Sequence, residues 1–173
     1  GTWYLINEML DFFNVFSAGV INSEFIFITQ DDPEHIYSIA RSKAIARPNI
    51  TVIKPRREEI PAILAGSDAG IFFINPYKRY NSSPIKFGEY LASGLPVVIN
   101  EGIGDTDSIT RGEKVGAVVN NFSKDCYLAA TGQLSGLLKE KEALRLRCRA
   151  AAEKYLSLEK GAERYLRIYQ GLS

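Results

Sequence analysis

The sequence has one histidine, two cysteines and no apolar run near the roughly 18 residues that span a bilayer. A Ser–His–Asp or Cys–His set needs a histidine in the site, and we expect His35 to face solvent near the start of a surface helix. Cys126 and Cys148 fall on separate helical patterns without metal-ligand spacing. These absences disfavour nucleophile–histidine catalysis and a metal centre, and they favour buried, inert thiols in a reducing compartment.

Charge and composition narrow the class further. A formal charge of +1 gives no global case for binding nucleic acid or an anionic membrane. The 173 residues, 46% hydrophobic and 24% charged, suit one soluble globular domain over residues 1–173. The start, Gly1 to Tyr4, resembles neither a signal peptide nor a natural initiator. We therefore expect an excised piece of a longer chain.

Helical and strand patterns alternate along most of the chain. The short apolar runs predict strands at Phe25–Thr29, Ile50–Ile53, Ala69–Ile74, Pro96–Ile99 and Gly116–Val119. The patterns around them predict helices at Thr2–Ser17, Asp32–Ala46, Arg57–Ala65, Thr106–Arg111, Lys124–Lys139, Glu142–Tyr155 and Leu158–Leu172, and a further helix from Pro84. Continuous apolar strands between helices predict a parallel sheet covered on both faces, a doubly wound Rossmann-like fold with a helical C-terminal region.

One feature conflicts with that fold, because the chain opens on a helix whereas such folds open on a strand that is usually central. Either that first strand lies upstream, or the sheet closes without it. In either case we expect exposed apolar surface or self-association.

Ligands of open α/β sheets bind beyond the carboxyl ends of the strands. Four loops leave those ends, and they contain basic side chains, glycines and helix N-termini. Their candidate ligand residues are Lys54, Arg56, Arg57, Gly102 and Gly104, with Glu89 one turn inside the following helix. N–H groups for phosphates and a carboxylate for ribose hydroxyls suit a nucleoside diphosphate.

The helix that opens at Pro84 has an unusual first turn. Ser83 is a good N-cap residue and Pro84 suits the first helical position. Ile85, Phe87, Gly88 and Leu91 are predicted to form an apolar arc, with Lys86, Glu89 and Tyr90 opposite. A cation in the first turn is disfavoured by the helix dipole. A bound phosphate would remove the conflict by accepting from both the N–H groups and Lys86.

These segments carry a family resemblance. Ser67 to Ile74, followed by the Ser-x-Pro-x-Lys-x-x-Glu-Tyr motif at Ser82 to Tyr90 and by Leu91 to Val98, resembles the donor half of group 1 (family four) glycosyltransferases. The resemblance extends over essentially the whole chain. It implies the C-terminal, nucleotide-sugar-binding half of a GT-B enzyme that retains anomeric configuration and usually needs no metal or other cofactor.

The resemblance also implies roles for individual residues. Glu89 matches the glutamate that holds the donor ribose, and Asn81 stands where the family generally has a sugar-contacting glutamate. Ser82, Ser83 and the helix opening at Pro84 would meet the pyrophosphate, with Lys86 close enough to assist. The loop containing Lys54 and Arg56 would frame the base, and the loop of Gly102 and Gly104 would lie near the sugar and phosphates.

Each assignment has a simpler alternative. Glu89 and Lys86 could form a solvated i, i+3 pair. Ser82 and Ser83 could be helix caps only, and Arg56 and Arg57 could belong to a solvated loop. Gly102 and Gly104 could serve only to shape a turn. The stripe Tyr165, Leu166 and Tyr169 could pack in the core or against a second domain.

The predicted function is binding of a UDP- or GDP-sugar for hexosyl transfer to a glycan or lipid-linked acceptor in polysaccharide biosynthesis, with Lys86 and Glu89 acting in catalysis. The isolated domain is expected to be inactive. Alternatives are a GT-B-type sugar-nucleotide epimerase, which would need a conspicuous histidine in this half, and a non-catalytic binding or interaction module. Expected partners are the donor and a missing N-terminal Rossmann-like domain, without nucleic acid. The expected location is cytoplasmic, with peripheral contact of the full enzyme at the inner membrane face.

Overall fold

The computed structural model describes residues 3–75 and 84–171, except for the side chain of Arg164. Within these residues the strands are β1 (Phe25–Ile28), β2 (Ile50–Ile53), β3 (Gly70–Phe72), β4 (Val97–Asn100) and β5 (Gly116–Val119). The α-helices are α1 (Ile6–Gly19), α2 (Pro33–Ser42), α3 (Ile60–Gly66), α4 (Ile85–Ala92), α5 (Thr106–Gly112), α6 (Lys124–Leu138), α7 (Lys141–Leu156) and α8 (Leu158–Gln170).

All the described strand pairs are parallel. β1 pairs with β2, with Phe25 opposite Ile50, and β4 pairs with β3 on one side and β5 on the other. Among the described strands, β1 and β3 do not pair with each other, so the sheet consists of two parts. The predicted parallel α/β fold is confirmed, but the alternative that the sheet closes without a further strand is wrong.

The apolar core lies on both faces of the sheet. On one face α1, α2 and α6 supply a cluster centred on Leu10, Ile36 and Leu134. On the other face α4, α5 and α7 supply a second cluster centred on Leu91, Ile109 and Leu144. Two-sided burial explains why the strands are continuous apolar runs rather than alternating ones. The central strand β4 is buried at every position, in keeping with this arrangement.

Local chemistry sets several element boundaries. Asp32 caps α2 by accepting from the Glu34 N–H at 3.1 Å, as its position before Pro33 predicts. The same helix ends earlier than predicted, because Ala44 has a φ of +56° and leaves the helical region. Helix α1 begins at Ile6 rather than Thr2, since Tyr4 forms an antiparallel bridge with Ile74.

The C-terminal helix α8 is largely outside the core. Its apolar side chains Tyr165, Leu166 and Ile168 are all more than half exposed. Packing of this stripe in the core, one of the two readings of the sequence, is therefore wrong for the described chain. The other reading, packing against a second domain, stays a prediction. No helix among the described residues combines the length and apolarity needed to cross a membrane.

Candidate donor site at the carboxyl edge of the sheet

Helix α4 starts one residue later than the sequence predicts. Pro84 is the N-cap, with an extended ψ of 119°, and Ile85 is the first helical residue. Pro84 still contributes its carbonyl oxygen, which accepts from the Phe87 N–H at 2.9 Å. The predicted apolar arc is correct at Phe87 and Leu91, which are buried, but wrong at Ile85, which is 79% exposed. The N-terminal turn of α4 therefore presents the Ile85 side chain to the surface.

Lys86 lies over an aromatic ring. Its Nζ is 3.9 Å from the centroid of Tyr4, within cation–π range. Burial lowers the pKa of Lys86, while the carboxylates of Glu89 and Asp31 act in the opposite direction. None of the ion pairs among the described residues includes Lys86 or Glu89. The simple alternative of a closed Lys86–Glu89 surface pair is thus not what these residues form.

Glu89 is exposed one turn further along α4. It lines a cavity of about 940 Å³ together with Lys86, Asp31 and Tyr4, and it also borders a shallower cavity of about 530 Å³ against α7. Asp31 is held in place by Thr29, whose hydroxyl donates to its carboxylate at 2.9 Å. One cation, two carboxylates and an aromatic ring therefore meet at the carboxyl end of β1 and the start of α4.

Tyr90 is a residue whose position the sequence reading missed. It was placed on the polar arc of α4, yet its ring packs on Phe72 at 6.1 Å between centroids. A Cβ at Gly70 would lie 2.3 Å from Tyr90 Cδ2, so the ring occupies the space above that glycine. Burial, aided by the nearby Tyr4 and Glu89, raises the pKa of Tyr90 to about 12. A glycine at the start of a buried strand was the signal that something approaches the backbone there.

The loop after β2 is tied down by its own contacts. Lys54 Nζ donates to the Gln30 carbonyl at 3.1 Å, joining the loops that follow β2 and β1. The Arg56 guanidinium pairs with Glu58 at 3.3 Å and with Glu59 at 3.2 Å. Hydrogen bonds from the Arg56 backbone and side chain lower the pKa of Glu59. Neither basic side chain lines the cavity that contains Lys86, although both lie at the same edge of the sheet.

The loop between β4 and α5 uses its glycines for backbone geometry. Gly102 and Gly104 have φ values of +83° and +56°, which favour glycine. The Gly102 N–H donates to Asp107 Oδ2 at 3.2 Å, and Arg111 donates to Glu101 at 2.8 Å. The loop is therefore organised internally. The Gly102 donor already has an acceptor, which weakens its assignment to a phosphate.

Asn100 joins strands β3 and β4 at this edge. Its side chain is buried; Oδ1 accepts from the Ile74 N–H at 2.8 Å and Nδ2 donates to the Ile74 carbonyl at 3.0 Å. The amide thus extends the pairing of β3 and β4 beyond their last ladder residues. The position of Asn100 directly after three buried apolar residues was the available sequence signal for its burial.

The predicted site is only partly brought together within the described residues. Lys86 and Glu89 share one cavity, with Pro84 at the start of their helix, whereas Lys54, Arg56, Gly102 and Gly104 lie on neighbouring loops outside it. Asn81, Ser82 and Ser83 lie outside the described residues. What the geometry provides is an edge at which a partly buried lysine and an exposed glutamate of one helix face one opening.

The fold defines a class: a Rossmann-like α/β domain of the kind that forms one half of the GT-B fold. Residues 65–125 match the family model described as the C-terminal domain of glucosyltransferase 3-like proteins. The match covers the chain from the end of α3 to the start of α6, and so includes Lys86, Glu89 and the β4–α5 loop. No curated protein matches the chain significantly in sequence.

Solved structures of glycosyltransferases share the fold over nearly the whole chain. WaaG, a glycosyltransferase involved in lipopolysaccharide biosynthesis, is 17% identical with a TM-score of 0.68, covering 86% of this chain and 39% of its own. Sucrose-phosphate synthase from Thermosynechococcus elongatus is 15% identical with a TM-score of 0.71, and the match covers 96% of this chain and 42% of the synthase. AviGT4, a glycosyltransferase involved in avilamycin A biosynthesis, is 20% identical with a TM-score of 0.57, and the match covers 95% of this chain and 47% of AviGT4.

The resemblance inferred from the sequence is therefore confirmed: the chain has the fold of a C-terminal GT-B domain. It spans less than half the length of each of these structural neighbours. At these identities the likeness establishes the fold, and the family match supports the glycosyltransferase class.

Proposed function

We propose that the chain binds the nucleotide-sugar donor of a glycosyltransferase through the edge formed by α4, β1 and β3. The observation that carries the proposal is that Lys86 and Glu89, from one helix and one motif, open onto the same cavity at the carboxyl edge of the sheet. That edge is where open α/β folds bind ligands. The donor would be a UDP- or GDP-sugar.

Each residue has a defined part in the proposal. Glu89, exposed and in no ion pair among the described residues, would accept hydrogen bonds from the ribose hydroxyls. Lys86 and the N-terminal N–H groups of α4 would stabilise the negative charge that grows on the leaving diphosphate. Tyr4 would hold the ammonium in position when no anion is bound.

The basic residues of the β2 loop take a secondary part. Arg56 is exposed and bound to Glu58 and Glu59, and Lys54 is bound to a carbonyl. Exposed ion pairs are worth only about 0–1 kcal/mol, so a base or phosphate can replace these partners at little cost. Gly102 and Gly104 would shape the loop near the sugar, and Asn81, Ser82 and Ser83 would contact sugar and pyrophosphate.

The complete reaction needs more than this chain. Transfer would be a retaining, metal-independent hexosyl transfer to a glycan or lipid-linked acceptor in polysaccharide biosynthesis, with the acceptor held by an N-terminal Rossmann-like domain. The exposed stripe of α8 would pack against that domain. The full enzyme would work in the cytoplasm, in peripheral contact with the membrane face.

Calorimetric titration with UDP, GDP and ADP tests the donor assignment. Glu89→Ala should weaken the preferred nucleotide about 10- to 100-fold, because charge-assisted hydrogen bonds to the ribose are lost. Glu153→Ala, at an exposed glutamate of α7 that borders the same shallow cavity as Glu89, is the matched control and should bind like the parent.

Two outcomes would count against the proposal. If Glu89→Ala binds as tightly as the parent, the ribose assignment is wrong. If no nucleotide raises the melting temperature of the folded chain, a non-catalytic interaction module becomes the better reading.

A further inference from the structure

Asp31 is a charged residue at the carboxyl edge of the sheet to which the proposed function gives no part. It follows β1, is partly buried, and lines the groove between β1 and β3, which is the cavity of about 940 Å³. None of the ion pairs among the described residues includes Asp31. Acidic side chains withdrawn from water are usually paired, so the surroundings of this carboxylate indicate what its charge acts on.

Contacts within its loop hold the Asp31 carboxylate in one place. The Thr29 hydroxyl donates to Asp31 Oδ2 at 2.9 Å, and the Asp31 N–H donates to Thr29 Oγ1 at 3.1 Å. On one side of Asp31, Lys54 Nζ donates to the Gln30 carbonyl, and on the other side Asp32 caps α2. The carboxylate is therefore fixed before any ligand arrives.

The charge of Asp31 faces Lys86 across the groove. Lys86 is the single cationic side chain among the described residues that line this cavity. Burial lowers its pKa, and the carboxylates of Glu89 and Asp31 oppose that effect. Glu89 belongs to the same helix as Lys86, whereas Asp31 comes from the other part of the sheet. Partial burial weakens screening by water, so these charges interact without forming a contact pair.

The phenols at this opening do not take the place of Asp31. Burial, followed by the nearby Glu89, raises the pKa of Tyr4. The pKa of Tyr90 is raised to about 12, mainly by burial. Both phenols therefore hold their protons to higher pH than an ordinary tyrosine does, and they contribute no charge near neutral pH.

The two remaining acidic side chains that line the cavity lie at its far end. Glu24 precedes β1 and Asp68 precedes β3, so both lie at the amino ends of these parallel strands. Asp68 is also paired with Lys141 at 2.6 Å. At the carboxyl end, Asp31 and Glu89 are thus the described acidic residues that line the cavity around Lys86.

We propose that Asp31 is a positioning residue of the donor site, whose fixed carboxylate keeps the Lys86 ammonium charged and held at the open edge for a diphosphate. The proposal rests on the donor function proposed above, because that function gives the lysine its ligand. Glu89 supplies a second attraction from within α4, and the Tyr4 ring supports the ammonium at 3.9 Å. Asp31 acts through Lys86 and does not itself contact the nucleotide.

Asp31→Asn tests the proposal without any ligand. The asparagine oxygen can still accept from Thr29, so the substitution removes the charge and keeps the hydrogen bond. The pKa of Lys86 should fall further, because one of its two carboxylate neighbours is lost. NMR titration of isotope-labelled lysine side chains measures this pKa, and the Lys86 signal is the one missing from the spectrum of Lys86→Arg.

Asp32→Asn is the matched control. It removes the same charge from the adjacent residue, and asparagine caps a helix about as well as aspartate. Asp32 does not line the cavity, so its substitution should leave the titration of Lys86 unchanged.

Thr29→Val separates the position of the carboxylate from its charge. Valine lacks the hydroxyl that holds Asp31, while the charge itself remains. The released carboxylate is better screened by water, so the pKa of Lys86 should move in the same direction as in Asp31→Asn but by less.

The pH dependence of diphosphate affinity gives a second measurement. Asp31→Asn should lose affinity for the nucleoside diphosphate at lower pH than the parent does. Where Lys86 is charged in both proteins, the two affinities should agree within about threefold, as for other weakly coupled exposed charges. A merely structural role of Asp31 would instead lower affinity by the same factor at every pH.

Two results would overturn the proposal. The first is a Lys86 titration that is the same in Asp31→Asn, Asp32→Asn and the parent. The second is a loss of affinity in Asp31→Asn that does not depend on pH. Failure of the parent to bind any nucleoside diphosphate would instead refute the donor function, and the ligand-free titration would still decide whether Asp31 acts on Lys86.

Discussion

At the scale of single residues, Lys86 is a charged group in an environment that disfavours its charge. A cation in the first turn of a helix is opposed by the helix dipole and, at this position, by partial burial as well. The face of Tyr4 compensates in part, because a ring quadrupole attracts an ammonium group. A diphosphate at the same helix end would compensate fully, since it would accept from the ammonium and the backbone N–H groups together.

We expect the lowered pKa of Lys86 to make diphosphate binding dependent on pH. The charged form binds the anion, so affinity should fall as pH rises through this lowered pKa, and binding in that range should take up a proton. The effect of this lowered pKa on stability has the opposite sign. Between the lowered pKa of Lys86 in the folded protein and its ordinary pKa in the unfolded chain, the unfolded chain binds more protons, so the free energy of unfolding increases as pH rises. Calorimetry in two buffers of different ionisation enthalpy measures the proton uptake.

Two substitutions at Lys86 separate charge from contact. Lys86→Arg stays charged throughout and should abolish the proton uptake while keeping diphosphate affinity within about tenfold. Lys86→Ala should weaken a nucleoside diphosphate far more than the nucleoside. Equal losses for the two ligands would refute the phosphate role.

At the scale of elements, the edge of the sheet depends on small contacts between strand ends and helix α4. Tyr90 covers Gly70 at the start of β3, and Asn100 joins the end of β4 to the residues beyond β3. The Tyr90 contact fixes α4 relative to β3, and so it helps to fix Lys86 and Glu89 relative to the cavity. Each of these two contacts can be tested by measuring the free energy of unfolding of a variant that disrupts it.

Gly70→Ala should destabilise the fold by about 1–3 kcal/mol, because the new methyl group would overlap the Tyr90 ring and force it to move. Urea unfolding measures the change. Gly66→Ala, at a glycine with nothing within 4 Å of its would-be Cβ, is the control and should be neutral or slightly stabilising. An unfolding midpoint for Gly70→Ala equal to that of the parent would show that Tyr90 does not occupy this space.

Asn100→Asp should cost about 2–4 kcal/mol at neutral pH, since a buried carboxylate would face the Ile74 carbonyl in place of the amide donor. Burial raises the pKa of such an aspartate, and its protonated form can donate again. The loss should therefore be smaller at acidic pH and grow as pH rises through that raised pKa. Asn121→Asp, at an exposed residue whose side-chain oxygen accepts from the Ser123 N–H, should change little. A pH-independent loss at Asn100 would contradict this account.

At the scale of the whole molecule, the described chain presents three unfinished surfaces: the groove between β1 and β3, the opening at Lys86 and Glu89, and the apolar face of α8. The chain spans less than half of the length of each of its structural neighbours. A transferase must hold donor and acceptor in one geometry for the reaction to become effectively unimolecular.

The chain alone should therefore bind a nucleotide-sugar without turning it over. Incubation with UDP- and GDP-sugars, followed by measurement of released nucleoside diphosphate, should give no rate above that of buffer. The same assay with the complete enzyme is the positive control. Release catalysed by the 173-residue chain would contradict the assignment of acceptor binding to a second domain.

Much of this protein was determined by the sequence alone, because its signals are local. Continuous apolar runs gave the two strands Ile50–Ile53 and Gly116–Val119 with their observed bounds, Asp32 gave the start of α2, and the Lys86–Glu89 motif identified the fold of a C-terminal GT-B domain. Tertiary structure decided what depends on distant partners. The ring of Tyr4 lies over Lys86, Tyr90 covers Gly70, and Asn100 is buried against Ile74; each of these contacts joins residues that periodicity cannot relate. The gap between β1 and β3 belongs with them, because strand pairing is a property of the whole sheet and not of any one strand.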